Sequence, residues 1–391
     1  MKGFKCVVIK LKHAILPFLF CTFLICLIVF SKTNLDSTKA GLQLWANNVV
    51  PTLLPFFIAT ELLSHTCVVS IVGKLLSKIM RPVFHVPGEG AFPLIMGIIS
   101  GYPTGAKIVA NFRKEGICTK EEGERLIAFT NNSGPLFIIG TVGISLFGDL
   151  RTGILLFITH VLATLSVGIC FRFWKNNQTA NYYKNSTKKM LYNQNIKFSS
   201  LGEALANSIM NSIHTILLIG GFIVIFSVII AILKQSQLLK LVSLPLVALF
   251  KLIGIKESFA SAFISGLLEL TNGVSEISII HSKILSQNIL FCSFLLGFGG
   301  ISVLLQVFSV ISKSDISIKS YFYGKMLQAC FATFYTYILL NITDFFNLDI
   351  VQTSLQISLQ NNSFSSLGLL ILVVLLFTFL VYNFKKLINS K

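Results

Sequence analysis

Charged residues are scarce in this sequence. Only 12% of its 391 residues are Asp, Glu, Lys or Arg, whereas 54% are hydrophobic and the mean hydropathy is +0.79. Soluble globular domains carry about 25% charged residues. The composition therefore excludes a soluble globular enzyme and favours an integral membrane protein, with the lipid bilayer as its surroundings.

Acidic residues are scarcer than basic ones, since 15 Asp and Glu stand against 32 Lys and Arg, which gives a formal charge of +17. A basic excess can indicate a nucleic-acid-binding protein when it forms a patch. Here the basic residues lie at the ends of apolar stretches, as the positive-inside rule describes for membrane proteins. No nucleic-acid partner is expected.

Motifs for covalent or metal chemistry are missing. The eight cysteines contain no C-x-x-C and the six histidines no H-x-x-x-H pair, so neither a disulfide framework nor a metal site is indicated. No P-loop, nucleophile elbow or paired-carboxylate motif is present, and an ATP-driven pump needs a nucleotide site. The sequence predicts a protein that is not an enzyme and has no cofactor.

Apolar runs long enough to cross a bilayer are frequent. A hydrocarbon core of about 30 Å requires about 20 helical residues. The first run follows a basic start, but no A-x-A-like cleavage site comes after it, so it is predicted to be an uncleaved span. The eight predicted spans are residues 14–30, 42–63, 126–148, 152–173, 205–233, 287–311, 320–342 and 365–384.

Two further apolar stretches are interrupted by Gly, Pro and polar residues. Each begins with a helix that carries basic residues and is predicted to lie at the membrane interface, Val68–Phe84 and Leu238–Gly254. Each continues as an apolar arm, a polar kink and a second arm, at residues 91–112 and 258–282. An arm of eight helical residues rises about 12 Å, so both stretches are predicted to be re-entrant hairpins.

The order of span, interfacial helix, hairpin and two spans therefore occurs twice, over residues 42–173 and 205–342. The predicted fold is an all-α polytopic membrane protein with two repeats. The remaining segments are an N-terminal span with its connector (1–41), a basic cytoplasmic loop (174–204) and a C-terminal span (343–391).

Charge indicates the orientation of the repeats. Basic residues flank the first hairpin and fill the loop at 172–197, so both are predicted to be cytoplasmic, as are both chain termini. The span count then places the second hairpin on the opposite side, so the repeats are inverted. Inverted repeats with broken helices near the bilayer centre are typical of secondary transporters.

The first kink, "SGYPTGAK", contains glycines that permit a turn and Pro103, which stops a helix. A helix N-terminus at such a turn favours a carboxylate or phosphate. The alternative is a kink that only closes the bundle. The candidate binding residues are Ser100, Gly101, Tyr102, Thr104, Gly105 and Lys107.

The span that follows contains the polar run Thr130, Asn131, Asn132 and Ser133 before Gly134 and Pro135. Polar side chains inside a span require partners. The run is suited to an unwound segment that offers amides and hydroxyls to a ligand. Hydrogen bonding between helices is the alternative.

The second kink, "GLLELTNG", contributes the candidates Glu269, Thr271 and Asn272. A carboxylate inside a membrane is costly unless it is paired or functional. Glu269 is interpreted as a site for a proton or cation, or alternatively as the ion-pair partner of Lys107. The charged stretch Arg113–Leu126 is predicted to be a solvated cytoplasmic helix, with Thr119 and Glu122 as a capping box.

At "SGYPTGAK", "NNSGPLFIIGTVG" and "GLLELTNG" the chain resembles the sporulation integral membrane proteins of the YlbJ type, also called stage V sporulation protein V, over residues 40–340. That family belongs to the nucleoside-recognition or gate-domain proteins and is similar in architecture to concentrative nucleoside transporters. The resemblance implies that paired hairpins build a substrate site. It further implies export of dipicolinic acid from the mother cell across the outer forespore membrane.

Two other functions remain open at this point. The same fold is compatible with nucleoside or nucleobase transport, although the binding motifs of the nucleoside transporters are not recognisable here. The chain is also compatible with a scaffold that recruits sporulation proteins through its basic loop. The sequence leaves open whether the protein forms a homo-oligomer, and it does not identify the coupling ion.

Overall fold

The structure is a computed structural model that describes residues 17–64, 66, 68–175, 201–280 and 285–345 and the single residue Leu375. Within these ranges the regular secondary structure is helical throughout. This agrees with the predicted all-helical membrane protein.

The chain begins with a sharply bent pair of helices. Helix α1 (Pro17–Val29) and the helix that starts at Ser31 meet at an angle of 98°. The amide of Asn34 donates to the backbone carbonyls of Cys26 and Leu27, so it satisfies two carbonyls at the end of α1 and fixes the bend. Helix α2 (Ser31–Leu44) continues through a π-helical turn at Trp45–Val49 into α3 (Val50–Ser64).

The first bent apolar stretch comprises α4 (Val68–Ile79), a π-helical turn (Met80–Phe84), a short 3-10 turn (Gly88–Gly90), α5 (Ala91–Ser100) and α6 (Thr104–Lys114). Segments 74–84 and 88–100 meet at 92°. Helix α4 exposes both basic and large apolar side chains, which suits the predicted position at a membrane interface. Helices α5 and α6 are the two arms of the predicted first hairpin, and they pack against each other.

The predicted span 126–148 is not one helix. Helix α7 (Lys120–Thr130) ends at an extended segment, residues 131–134, and a π-helix (Leu136–Leu146) follows. Pro135 lacks a backbone N–H and restricts the residue before it, so the α-helix does not continue through this point. Helix α8 (Leu150–Phe171) then begins with Asp149 as its N-cap.

The second half of the chain contains α9 (Leu201–Gln235), α10 (Leu238–Leu252), α11 (Ser258–Leu268), α12 (Leu270–Ser278), α13 (Leu285–Phe298), α14 (Gly300–Ile311) and α15 (Ile318–Phe345). The predicted span 287–311 is interrupted between α13 and α14, where Gly299 and Gly300 both have positive φ. Only glycine adopts such a conformation twice in succession without strain.

Among the described residues, three helices are long and apolar enough to cross a membrane, or five if each bent pair counts as one span. The three lie at Leu150–Phe171, Gly202–Gln235 and Ser286–Ile311 and overlap three of the predicted spans. The last of them comprises α13 and α14 with the break at Gly299 between them. The predicted span 365–384 lies outside the described residues apart from Leu375, and most of the predicted loop 174–204 does so as well.

The core joins the two halves. One cluster of buried apolar side chains extends from Met80 in the first half to Leu340 in α15, and it is centred where α8 and α13 pack on α15. A smaller cluster joins α3 to α9 through Phe57 and Ile219. The larger cluster includes buried residues of α5, α6, α11 and α12, so both arms of each bend are anchored in it.

The prediction of one solvated helix at Arg113–Leu126 is wrong for its second half, because residues 122–126 of α7 are buried, whereas residues 113–117 are partly or fully exposed. The capping box of Thr119 and Glu122 is present, but Glu124 and Arg125 in α7 are fully buried. The Arg125 guanidinium donates to the carbonyls of Trp174, His85 and Lys175, and Glu124 pairs with Lys175. These tertiary partners offset the cost of burying the charges, and sequence spacing does not reveal them.

Candidate solute-binding site

Glycines bring the first hairpin into contact with the broken span. Gly97 in α5 and Gly105 in α6 both face the carbonyl oxygen of Thr130, and a Cβ atom at either position would overlap that oxygen. The end of α7 is therefore packed closely between α5 and α6. The local sequence permits this because glycine lets two backbones approach more closely than any other residue does.

The tip of the first hairpin lies against the extended segment. Gly101 has φ 82°, and a Cβ atom on it would lie 3.0 Å from the backbone nitrogen of Gly134. The Tyr102–Pro103 peptide is cis. Ser100 is buried and its hydroxyl bonds that of Thr60 in α3, so this side chain ties the tip to the neighbouring helix.

The second bend lies at Glu269, between α11 and α12. Its buried carboxylate is the N-cap of α12 and accepts from the backbone N–H groups of Thr271 at 3.1 Å and Asn272 at 2.8 Å. The Asn272 side chain donates to the same carboxylate and to Ser227 in α9. The N-terminus of α12 is thus already occupied by a carboxylate from its own chain.

The alternative in which Lys107 pairs with Glu269 is wrong. The ammonium of Lys107 lies 3.0 Å from the carboxylate of Glu61 in α3, and Asn211 in α9 donates to the other oxygen of Glu61. The charge of Lys107 is therefore directed at the side of the hairpin rather than at its tip. In the second half Glu276 of α12 pairs in a similar way with Lys234 of α9.

The two bends line one small cavity. Gly101 and Tyr102 come from the first bend, Glu269 and Thr271 from the second, and Gly134 from the extended segment. The remaining wall is formed by Val49, Leu53, Phe137, Ile219, Ile223, Val303 and Gln306. The cavity measures about 40 Å³. This volume has room for about three water molecules.

The polar lining has a definite chemistry. Tyr102 offers an aromatic face and a hydroxyl, and Glu269 offers a carboxylate already held by three N–H donors. Gln306 is buried, and its side-chain oxygen has no hydrogen-bond partner among the residues that the structure describes. A concave site with apolar walls and a few directed polar groups is the usual form of a small-molecule site.

Asn131 and Asn132 are buried but do not line this cavity. Asn131 donates to the hydroxyl of Tyr321 at 3.1 Å, and its side-chain oxygen faces the N–H of Ala106 in α6. Asn132 accepts from Gln328 at 2.9 Å and donates to the carbonyl of Phe129. These amides hold the extended segment to α6, α7 and α15.

Most of the other predicted residues do not line the cavity either. Ser133 donates its N–H to the imidazole of His160 in α8, and Thr104 lies buried at the start of α6. The predicted residues that line the cavity are Gly101, Tyr102, Glu269 and Thr271. The remaining nine, Ser100, Thr104, Gly105, Lys107, Thr130, Asn131, Asn132, Ser133 and Asn272, lie behind or beside it.

Sequence reasoning missed a polar layer behind the extended segment. It is formed by His160 and Thr164 of α8 and by Tyr321, Lys325 and Gln328 of α15, which are all buried. One signal was present, since Lys325 interrupts an apolar run that was predicted to span the bilayer. A charge in such a run demands an explanation as much as Glu269 does.

Comparison with known proteins identifies one matching family model and one similar protein. A family model described as Gate, nucleoside recognition, matches residues 46–171, which extend from the π-helical turn before α3 to the end of α8. The chain is also 36% identical over 318 residues to the sporulation integral membrane protein YlbJ of Bacillus subtilis (strain 168), which covers 79% of this chain and 78% of the relative. No solved structure matches.

Proposed function

The chain belongs to the family of the sporulation integral membrane protein YlbJ, and we propose that it is a transporter that moves the small anionic solute dipicolinate from the mother cell across the outer forespore membrane. The identity of the solute and of the membrane in this proposal comes from the family resemblance noted in the sequence. Transport by this proposal involves no covalent chemistry, no cofactor and no metal.

One observation carries the proposal: residues of both helix bends line the same cavity. Non-helical backbone inside a bilayer persists only where protein buries it or where it lines a wet cavity. Tyr102 and Glu269 belong to different halves of the chain, yet both reach that cavity. A closed helical bundle does not require two interrupted helices that meet at one cavity.

The proposal includes two inverted repeats, similar to those of concentrative nucleoside transporters. The supporting observation is the order of elements. A helix, an amphipathic helix, two short arms, a broken helix and a long helix occur at 50–171 and again at 201–345. In each half the second arm of the bend is paired by charge with the helix that opens that half, through Lys107 and Glu61 or through Glu276 and Lys234.

The size of the cavity indicates that the transporter must open. Dipicolinate has a pyridine ring and two carboxylates, which is more than a space of about 40 Å³ accommodates, since sites for small molecules usually measure about 300–1,000 Å³. We infer that one hairpin moves away from the extended segment to admit the solute and returns behind it. Movement of one unit about a fixed central site is the general scheme of alternating access.

The lining is compatible with the solute. Dipicolinate is a planar dianion at neutral pH, and the ring of Tyr102 offers a face on which it stacks. The hydroxyl groups of Tyr102 and Thr271 and the side-chain amide of Gln306 offer hydrogen bonds. Glu269 opposes the dianion less than a free carboxylate would, because three donors already share its charge.

Reconstitution tests the proposal. The purified protein is placed in lipid vesicles, and uptake of radiolabelled dipicolinate and of radiolabelled uridine is compared with uptake by empty vesicles. The proposal expects dipicolinate to enter and uridine to remain outside. Dipicolinate uptake equal to that of empty vesicles contradicts it.

A second candidate function is transport of a nucleoside or nucleobase. It is favoured by the description of the family model that matches residues 46–171. An aromatic face with hydrogen-bonding groups also suits a nucleobase. Saturable uridine uptake in the same vesicles, without dipicolinate uptake, favours this function over the first.

A further inference from the structure

Lys325 is buried, and no acidic side chain among the described residues forms an ion pair with it. It lies in α15, its exposed fraction is 1%, and no other lysine among the described residues is fully buried. A charged side chain inside a membrane protein is costly unless another group compensates for its charge. The position therefore requires an explanation that packing alone does not give.

The partners of Lys325 within the described ranges are uncharged. Its ammonium donates to the side-chain oxygen of Gln328 at 2.7 Å and lies 6.0 Å from the ring centre of Tyr321. Within the described part of the chain, no carboxylate lies within 4.0 Å of it. The other buried cation, Arg125, instead donates to three backbone carbonyls beyond its own helix.

The partners of Lys325 are hydrogen-bonded to the extended segment that contributes Gly134 to the cavity. The amide of Gln328 donates to the side-chain oxygen of Asn132 at 2.9 Å, and the hydroxyl of Tyr321 accepts from Asn131 at 3.1 Å. Both asparagines belong to the extended segment, and Gly134 of that segment lines the cavity. Lys325 thus lies behind the extended segment and is connected to it through Gln328 and Tyr321.

We propose that Lys325 supplies the positive charge that makes this cavity select an anionic solute. The inference rests on the proposed function and deepens it, because it assigns the charge preference to one residue. Lys325 does not line the cavity, so it acts as a positioning charge through the low-dielectric interior, where charge interactions are screened less than in water. The solute carboxylates in turn supply a counter-charge that the described residues do not provide at this point.

The test measures charge preference rather than activity alone. Full-length protein in lipid nanodiscs is titrated with dipicolinate and with its uncharged analogue pyridine-2,6-dicarboxamide, and the ratio of the two Kd values is determined. Lys325→Met is expected to reduce the preference for dipicolinate by about tenfold or more, whereas Lys325→Arg retains it within about threefold. Lys319→Met is the matched control, because Lys319 lies on the same helix but is exposed.

A second variant covers the case in which Lys325→Met fails to fold. Gln328→Glu keeps the lysine and the shape of its partner but places a carboxylate beside the ammonium. It is expected to reduce the preference for the dianion in the same direction. If a folded Lys325→Met or Gln328→Glu protein keeps the same ratio of the two Kd values as the natural protein, the inference is overturned while the proposed function stands. If the unaltered protein binds no dipicolinate, both are overturned.

Discussion

Tyr102 and Glu269 line the same cavity although they lie in opposite halves of the chain. Tyr102 follows the last turn of α5, and Glu269 is the residue at which α11 gives way to α12. Their convergence depends on close backbone contacts, since Gly101 lies against Gly134 and Gly300 lies against the end of α11. The following predictions test the parts that hold this arrangement.

Glu269 is expected to stabilise the second bend as an N-cap. Glu269→Ala leaves the N–H groups of Thr271 and Asn272 without their acceptor in a buried place, which costs about 1–3 kcal/mol. A lower thermal unfolding midpoint in detergent and loss of transport are expected, with Glu269→Gln intermediate. Glu257→Ala is the control, because Glu257 precedes α11 without capping it and its side chain is 60% exposed. Equal midpoints for Glu269→Ala and Glu257→Ala refute the capping role.

Gly105 is expected to tolerate no side chain. In Gly105→Ala the new methyl group overlaps the carbonyl of Thr130, so the hairpin must shift, at a cost of about 1–3 kcal/mol. Gly140→Ala is the matched control, because a Cβ atom there meets nothing within 4 Å. The free energies of unfolding are compared in mixed micelles. Similar stability of the two variants contradicts the close contact.

Asn132 and Gln328 are expected to be energetically coupled. The amide of Gln328 donates to Asn132 across the boundary between the two halves, and both side chains are fully buried. A double-mutant cycle with Asn132→Ala and Gln328→Ala predicts a coupling energy of about 0.5–3 kcal/mol. The pair Asn132→Ala and Ser309→Ala serves as a control, since Ser309 bonds only within α14. Additive effects in the first cycle exclude the hydrogen bond.

Lys107 and Glu61 are expected to hold the first hairpin against α3. Reversal of either charge alone places like charges at a separation of about 3.0 Å and slows transport. The double variant Lys107→Glu with Glu61→Lys restores part of the loss, although Asn211 then loses its acceptor. Stability changes of about 1 kcal/mol are expected because both groups are partly exposed. No recovery of uptake in the double variant argues against the ion pair.

Asp315 is expected to give stability a small dependence on acid pH. The hydrogen bonds from Arg113 hold the pKa of Asp315 below its ordinary value. A lowered native pKa stabilises the fold above the ordinary value of about 3.9, and this contribution is lost as the pH falls through the native value. The difference in unfolding midpoint between the natural protein and Asp315→Asn is therefore present at pH 7 and shrinks below about pH 4. Because the Asp315 side chain is 48% exposed, the effect stays below about 1 kcal/mol. A difference that grows on acidification contradicts it.

Local breaks in the helices were predictable from the sequence. Gly101, Pro103 and the polar run that starts at Thr130 predict helix breaks at their own positions. The backbone freedom of glycine and the missing N–H of proline change the structure only within a few residues. The structure accordingly bends or unwinds at these places. The break at Gly299 was missed, since paired glycines in an apolar run are compatible with a continuous helix.

Partners distant in sequence were not predictable. Lys107 was assigned to the tip, but Glu61 is its partner, and nothing in the spacing of the two residues indicates this. Glu269 was interpreted as a proton or cation site because a carboxylate inside a membrane is costly unless it is paired or functional. Its capping role was not apparent, because Glu is not among the preferred N-cap residues. Arg125 was assigned to solvent, but it is buried and donates to the backbone carbonyls of Trp174 and His85. Only the fold brings these distant carbonyls to it.

The central claim is that both hairpin tips face one solute, and protection of cysteines by dipicolinate tests it most directly. Tyr102→Cys and Thr271→Cys are made separately in a transporting protein whose own cysteines are replaced by alanine, with exposed Met210→Cys as control. The rate of labelling by a small thiol reagent is measured with and without dipicolinate. The account predicts slower labelling at both 102 and 271 and no change at 210. Protection at neither tip, or at one tip alone, contradicts it.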